Sequence, residues 1–488
     1  MKNAILILII FLIPFISFSQ DTAKVEKKPK LSKEEKLRIK EEKLKAKSEK
    51  IKAKQTALEE KKQKNNDKST ETAKPVTADA PKPGITFSGY VKNDVYYDTR
   101  QVIALREGFL LLYPTDASYD ANKKDINNTP NLNMLAIQTR LTGKITGPDA
   151  FGAKTSGVIE AEFLGTTEAD INGFRLRHAY AKLTWKKAEL LAGQTWNGFF
   201  NIDCFPGSIS FNTGVPIKPF SRNPQIRLTR YFGKFSVAGL ALSQRDFSSS
   251  GPLGSSSNYL RNSVLPILQL NAQYKSEKFL IGVHGEYKSL TPRLITDSAI
   301  YTNKKINSVA FSGYIKVKTK PITIKAEGCW GQNMTDLLML GGYAKKNWNN
   351  GDLTVSADEL ADSTNIATKN DFEYTNLSTV AGWIDINTNG TKYIFGLFGG
   401  YTQNLGSLSN ILDWNNSSSY YSRGNNIKYI YRVAPRFEYV SGKTTLAFET
   451  EYTVAAYGKV SELNSIGVVQ NAKEIGNFRL LGSIIYKF

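Results

Sequence analysis

Basic side chains recur at positions that a two-residue period puts on one face. Arg175 and Arg177 lie two apart and Arg432 and Arg436 four apart. Lys92, Arg140, Arg227 and Arg479 each take the polar phase of an alternating segment. A guanidinium keeps its charge at any pH a cell meets and offers a planar fork of donors to a carboxylate or phosphate. Seven such groups, with the Lys92 ammonium, along the lumen wall would draw anions. The acids Asp94, Glu160, Glu162, Glu327, Glu438, Glu449 and Glu451 share the polar phase, so the alternative is that the two sets pair and merely hydrate the wall. Pairing is the expectation for any single arginine, and a net pull on anions is the expectation for the set.

Catalysis would need a nucleophile, a base and an orienting group in one place. The chain has two histidines: His178, which strand alternation puts in the outward phase, and His284, inward and flanked by Gly282 and Glu286. No serine lies in a nucleophile elbow and no ligand spacing suggests a metal. Each histidine therefore reads as a satisfied wall residue. No catalytic residue, metal or cofactor is expected, and a membrane-embedded hydrolase or a structural, adhesive barrel stands as the alternative. Cys204 and Cys329 could pin a loop to a wall only if their Cα atoms came within disulfide reach, which sequence cannot place; two unpaired thiols are the expectation.

The segment 197–222 is unusual for a gap between strands. It carries Phe199, Phe200, Phe205, Phe211 and Phe220, with Asp203 its one acid and Lys218 and Arg222 near its end. So apolar a segment is costly to expose to water, which favours folding it inward as a constriction over an outer loop that makes subunit contacts.

The elements that must position these groups follow from period-two alternation, which begins at Ile85 and continues to Phe488. In 427–440, Ile427, Tyr429, Tyr431, Val433, Phe437 and Tyr439 take one face and Lys428, Arg432, Arg436 and Glu438 the other. Sixteen such segments can be counted: 85–99, 131–147, 154–164, 173–185, 187–196, 223–231, 234–244, 265–275, 278–289, 305–318, 321–333, 375–388, 391–404, 427–440, 444–458 and 476–488. The gaps between them alternate short and long, the short ones lying around Pro148, Lys186, Phe232, Glu277, Thr319, Asn389 and Ser441. Short turns on one side, long loops on the other and outward aromatics are the layout of a sixteen-stranded antiparallel transmembrane β-barrel, with both chain ends on the periplasmic side. A soluble sandwich or propeller has no reason for either feature.

The N-terminal region agrees with that compartment. Residues 1–19 read as a secretory signal peptide, with Lys2 first, an apolar run from Ala4 to Ile16 and small residues Ser17 and Ser19 before the cut. Residues 20–73 form a Lys/Glu-rich extension whose Leu37, Leu44, Ile51 and Leu58 recur every seven residues, so a helix with a weak coiled-coil seam, or a solvated single helix, is expected. Residues 74–84 are a linker and 85–488 the barrel. Of the net charge of +20, nine units come from residues 24–68, where 18 basic residues face 9 acidic ones, and export removes the chain from cytoplasmic nucleic acid.

Several runs also resemble a known family. Ser88-Gly89-Tyr90-Val91-Lys92 leading to Tyr96-Tyr97-Asp98, Gln138-Thr139-Arg140-Leu141, Phe174-Arg175-Leu176-Arg177-His178-Ala179-Tyr180, Leu191-Ala192-Gly193-Gln194-Thr195-Trp196 and Arg222-Asn223-Pro224-Gln225-Ile226-Arg227 are similar to the opening strands of DcaP-like trimeric porins. The resemblance covers about the first third of the barrel. It implies a homotrimer with an N-terminal helical extension in the periplasm that passes small, often anionic solutes such as dicarboxylates. The partners then expected are small anionic solutes, outer-membrane lipid and the barrel-assembly machinery, which would read the C-terminal strand. A TonB-dependent receptor would need a larger barrel and a plug domain.

Overall fold

β-Branched and aromatic residues alternating with charged ones make strands, and strands in lipid must close on themselves so that no backbone N–H or C=O is left unpaired. The computed structural model describes residues 83–297, 299–346 and 371–488, and the signal peptide, the extension and most of the linker lie outside these residues. Sixteen antiparallel strands form one closed sheet: β1 (Gly84–Asp98), β2 (in two pieces, Asn131–Leu135 and Arg140–Thr146), β3 (Lys154–Glu162), β4 (Arg175–Thr184), β5 (Ala188–Trp196), β6 (Arg222–Phe232), β7 (Phe235–Leu242), β8 (Ile267–Lys275), β9 (Phe279–Leu290), β10 (Ile306–Lys318), β11 (Ile322–Gln332), β12 (Tyr374–Thr388), β13 (Tyr393–Ser407), β14 (Ile427–Ser441), β15 (Thr444–Tyr457) and β16 (Lys473–Lys487). Closure comes from β1 pairing β16 in a register running from Tyr90↔Lys487 to Asp98↔Arg479.

Alternation decides which side each residue takes. On β1, Phe87, Val91, Val95 and Tyr97 are exposed, whereas Lys92, Asp94 and Asp98 are buried in the lumen. The outward faces of β13 to β16 carry two aromatic belts. Tyr393, Phe395, Phe437 and Tyr439 stack beside the short turns, and Tyr401 with Tyr429 and Tyr452 with Phe478 stack toward the long loops. The ten steps from Tyr429 to Tyr439 span about 33 Å along a strand, or about 25 Å along the normal at a tilt of about 40°, the height of a barrel's lipid-facing band.

Two departures from regular alternation matter inside. β2 breaks at residues 136–139, where Gln138 Oε1 accepts from Lys92 Nζ at 2.6 Å and Thr139 Oγ1 accepts from Lys92 N at 3.3 Å. β4 carries a bulge: Glu160 pairs His178 while Ala161 pairs Leu176, which leaves Arg177 as the extra residue. The bulge corrects the outward placement of His178, because strict alternation fails there and Arg175, Arg177 and His178 are all buried.

Three long loops enter the outer end of the lumen. The first contributes a hairpin, Val102–Leu105 with Leu110–Pro114. The third, 197–221, crosses from β5 toward the opposite wall. The sixth begins with a 3-10 turn, Thr335–Leu337, and a short strand, Gly341–Lys345, that pairs both β12 and Tyr420–Arg423. Phe109, Leu110 and Leu112 of the first loop, Phe211 and Phe220 of the third, Leu338 and Leu340 of the sixth, and Ile430 and Tyr457 of the wall join one buried apolar cluster. A protein-like core therefore packs the outer end of this barrel.

Candidate functional site

The basic residues of the lumen fall into two groups, one on β2 to β6 and one on β14, β16 and β1. On β2 to β6, the β3 carboxylates collect guanidiniums from their neighbours. Glu162, fully buried, accepts from Arg140 at 2.9 Å, Arg175 at 3.0 Å and Arg177 at 2.5 Å. Glu160 accepts from Arg177 at 2.8 Å, and Asp246 from the loop after β7 binds Arg175 at 3.2 Å and Arg222 at 2.8 Å. Four guanidiniums (Arg140, Arg175, Arg177 and Arg222) thus share three carboxylates, which leaves the cluster one positive charge in excess. Around the rest of the barrel, on β1, β14 and β16, each candidate cation meets an acid, although Asp385 is also 3.6 Å from Lys325. Lys92 meets Asp94 at 3.2 Å, Arg436 meets Asp385 at 2.6 Å, Arg479 meets Asp98 at 2.6 Å, and Arg432 stands 3.9 Å from Glu451.

Arg227 differs from the other seven wall cations. Its guanidinium is held by Gln225 Oε1 at 2.8 Å and the Trp196 carbonyl at 2.9 Å, both neutral, and among the described residues it forms no ion pair. Glu189, the acid that acts on it, is already paired with Lys182 at 3.2 Å, so these three groups carry one positive charge in excess, and Nη1 makes none of these bonds.

The crossing loop is fastened along its length. At its near end Cys204 Sγ contacts the Ile315 carbonyl at 3.3 Å, Asp203 pairs with Lys275 at 2.6 Å, and Lys325 Nζ donates to the Phe205 carbonyl at 3.0 Å. At its tip Glu449 accepts from the backbone N–H groups of Ile209 at 2.8 Å and Ser210 at 3.0 Å, and Glu451 accepts from Asn212 at 2.6 Å. Arg432 donates to the Val215 carbonyl at 2.8 Å, and returning toward β6, fully buried Lys218 pairs with Glu327 at 3.2 Å. Arg432 also donates to the Leu112 carbonyl at 2.9 Å, so one arginine holds the third loop and the first-loop hairpin together.

The sequence candidates therefore take several roles. Phe199 packs against His284 at 5.6 Å in a buried cluster that also holds Cys204 and Cys329, both free thiols. Lys218 lies over the Phe200 ring at 4.4 Å, and Arg222 lies over Trp196 at 4.9 Å. Phe205 and Asp203 stay partly open to the lumen. Asp385 was discoverable from its phase in β12; Asp246 was not, because it lies in a loop where no period assigns a side.

Between the near half of the loop and the β2–β8 wall lies a water-accessible space in two adjoining chambers of about 550 and 360 Å³, which share Glu160, His178, Trp196, Phe200 and Ile202. Basic Arg140, Lys144, Arg177, Lys182, Arg227 and Lys275 line it with acidic Glu160, Glu189 and Asp203. Lys182 is matched by Glu189 at 3.2 Å and Lys275 by Asp203, whereas Lys144 and Arg227 have no ion pair among the described residues. No cluster of metal-ligating side chains occurs among the described residues.

A family model described as DcaP outer membrane protein matches residues 16–320 of the chain. Among solved structures, the outer membrane channel DcaP of Acinetobacter baumannii aligns with a TM-score of 0.57 at 17% identity, covering 83% of this chain and 97% of that one. Vibrio cholerae OmpT aligns at 0.46 with 9% identity over 86% of this chain and all of that one. Salmonella typhi OmpF aligns at 0.45 with 11% identity over 83% and 97%. No curated protein sequence matches.

Proposed function

The chain belongs to the DcaP outer membrane protein family, and from that premise we propose that it is a diffusion channel through which small anionic solutes cross the outer membrane. The observation that carries the sign of selectivity is the incomplete cancellation of charge on one wall. Arg227 and Lys144 have no carboxylate of their own, and four guanidiniums beside them share three. In a narrow, low-dielectric tube such an excess biases the local ion population toward anions. The remaining basic candidates, Lys92, Arg432, Arg436 and Arg479, act here as fasteners and contribute little to the field.

Reversal potential in a salt gradient tests this reading. The wild-type channel should prefer chloride over potassium, and Arg227→Gln should move it toward potassium, most in dilute salt where the Debye length exceeds about 10 Å. An unchanged potential in R227Q would remove the basis for anion selection. The family resemblance further supports assembly as a homotrimer, export through the signal peptide of residues 1–19, insertion by the barrel-assembly machinery, and a periplasmic helical extension of residues 20–73 joined by the linker 74–84.

A further inference from the structure

We propose that the outward face of the barrel, at the outer ends of β6 to β8, holds a phosphate-bearing lipid of the outer leaflet. Its acyl chain would lie in a groove and its headgroup on Arg261 and Lys305. The groove measures about 700 Å³. Gly193, Ile226 and Ala241 form its floor, and its wall comes from the segment 260–266, which returns from the fourth long loop to β8. Ile226 opposes Ala241 across the sheet and is 61% exposed, so this row faces lipid and not the lumen. Above it Val264 is 89% exposed and Leu265 also stands outside. Val264 adopts the left-handed conformation at φ 63°, which a β-branched residue rarely takes. Glycine would suit that backbone better, so an apolar side chain is displayed outward there at a conformational cost.

The height of the groove decides what surrounds it. Tyr274, exposed on the outward face of β8, packs with Phe279 beside the short turn that joins β8 to β9. Leu265 lies nine residues before it, about 30 Å along a strand, or about 23 Å along the normal at a tilt of about 40°. That is the outer border of the lipid band, where acyl carbon gives way to headgroups. Two cations stand at this border. Arg261 is exposed at the groove's rim, its guanidinium bonded to Asn258 Oδ1 of the same helical turn at 2.5 Å. Lys305, also exposed, donates to the Ser263 carbonyl at 3.3 Å, which puts its ammonium beside Val264. Among the described residues neither forms an ion pair, because the acids of the flanking loops are engaged elsewhere: Asp246 with Arg175 and Arg222, and Asp297 with Arg293. Two uncancelled cations over an apolar groove match a lipid with an anionic phosphate head; a neutral head would leave both charges unanswered.

Native mass spectrometry of the delipidated full chain in detergent reads such binding directly. The probe is bisphosphorylated lipid A, compared with its dephosphorylated form and with inorganic phosphate as competitor. A cation near an anionic surface is worth about fivefold in affinity, so Arg261→Gln with Lys305→Gln should weaken the phosphorylated lipid about twenty-five-fold. The dephosphorylated lipid should bind the wild type weakly, and the double substitution should not change it. Val264→Gly, which relaxes the backbone, should weaken both forms several-fold. Equal binding of the two lipid forms would overturn the proposal, as would a double variant that binds like the wild type. Displacement by inorganic phosphate would mark a site for the ion alone, and would overturn it too. So would loss of the oligomer band in V264G with lipid binding unchanged, since the face would then join copies of this chain. Arg261 and Lys305 are exposed and lie outside the sheet, so the double variant decides should V264G fail to insert. Failure of the channel reading is read separately, from the reversal potential of R227Q, because groove and lumen lie on opposite faces of the sheet.

Discussion

At the scale of the residue, the lumen shows how charge can be plentiful and still mostly silent. Period-two phase alone put Arg140, Arg175, Arg177, Arg227, Arg432, Arg436 and Arg479 on the polar side, and each faces the lumen. Phase cannot show which carboxylate reaches which guanidinium, because pairs form between strands distant in sequence, such as Arg479 with Asp98. His178 escaped for a related reason: one inserted residue in β4 reverses every side that follows, and a bulge leaves no mark in a single sequence. The pairing predicts opposite effects for two neutralising substitutions. R227Q removes an uncancelled charge, whereas Glu162→Gln removes the acid that three arginines share. E162Q should leave four guanidiniums against two carboxylates, so its reversal potential should move toward stronger anion preference. The same change strips partners from buried cations, at a cost of about 3–5 kcal/mol, and should lower the heat-unfolding midpoint on gels of unboiled protein. A shift toward cations would show that Glu162 does not face the conducting path.

At the scale of the element, all sixteen strands were legible because alternation over nine or more residues is a strong signal, and the short gaps between them fixed the order. The loops were legible only through composition. Five phenylalanines made 197–222 an inward segment in prospect, and the structure places it across the lumen, tied to β10, β11, β14 and β15. The hairpin Val102–Pro114 gave less warning, since its apolar run, Phe109–Tyr113, is only five residues within a long gap. Yet that run fills the outer end of the barrel, where Arg432 holds the Leu112 carbonyl and Tyr457 that of Pro114. The hairpin's ends are adjacent, with Thr115 N donating to the Gln101 carbonyl at 3.0 Å, so residues 102–114 can be removed by joining Gln101 to Thr115. Because conductance follows the narrowest cross-section, that deletion should raise single-channel conductance about twofold or more. Conductance equal to the wild type would place the hairpin outside the path that ions take.

At the scale of the whole molecule, stability depends on closure, since an open edge in lipid would leave a row of unsatisfied backbone groups at several kcal/mol each. The closing seam is long but ends delicately. β16 pairs with β1 from Arg479 to Lys487, and Phe488 adds a last pair of backbone bonds, donating to the Gly89 carbonyl at 3.1 Å and accepting from Gly89 N at 3.4 Å. Tyr486 and Phe488 are half exposed on the lipid side beside the short turns, where an aromatic belt belongs. Deleting Tyr486 to Phe488 removes the pairs Val91↔Tyr486 and Tyr90↔Lys487, and with them the aromatic end of the strand. The truncated chain should accumulate in the periplasm or be degraded, measured as its share of the outer-membrane fraction and as loss of the compact, heat-modifiable band. A control that deletes residues 21–82 instead should insert normally and conduct normally, because every pair of the seam lies between Gly84 and Phe488. Full outer-membrane levels of the C-terminal truncation would mean that the first thirteen residues of β16 suffice for recognition and closure, and that the terminal aromatics serve only the lipid interface.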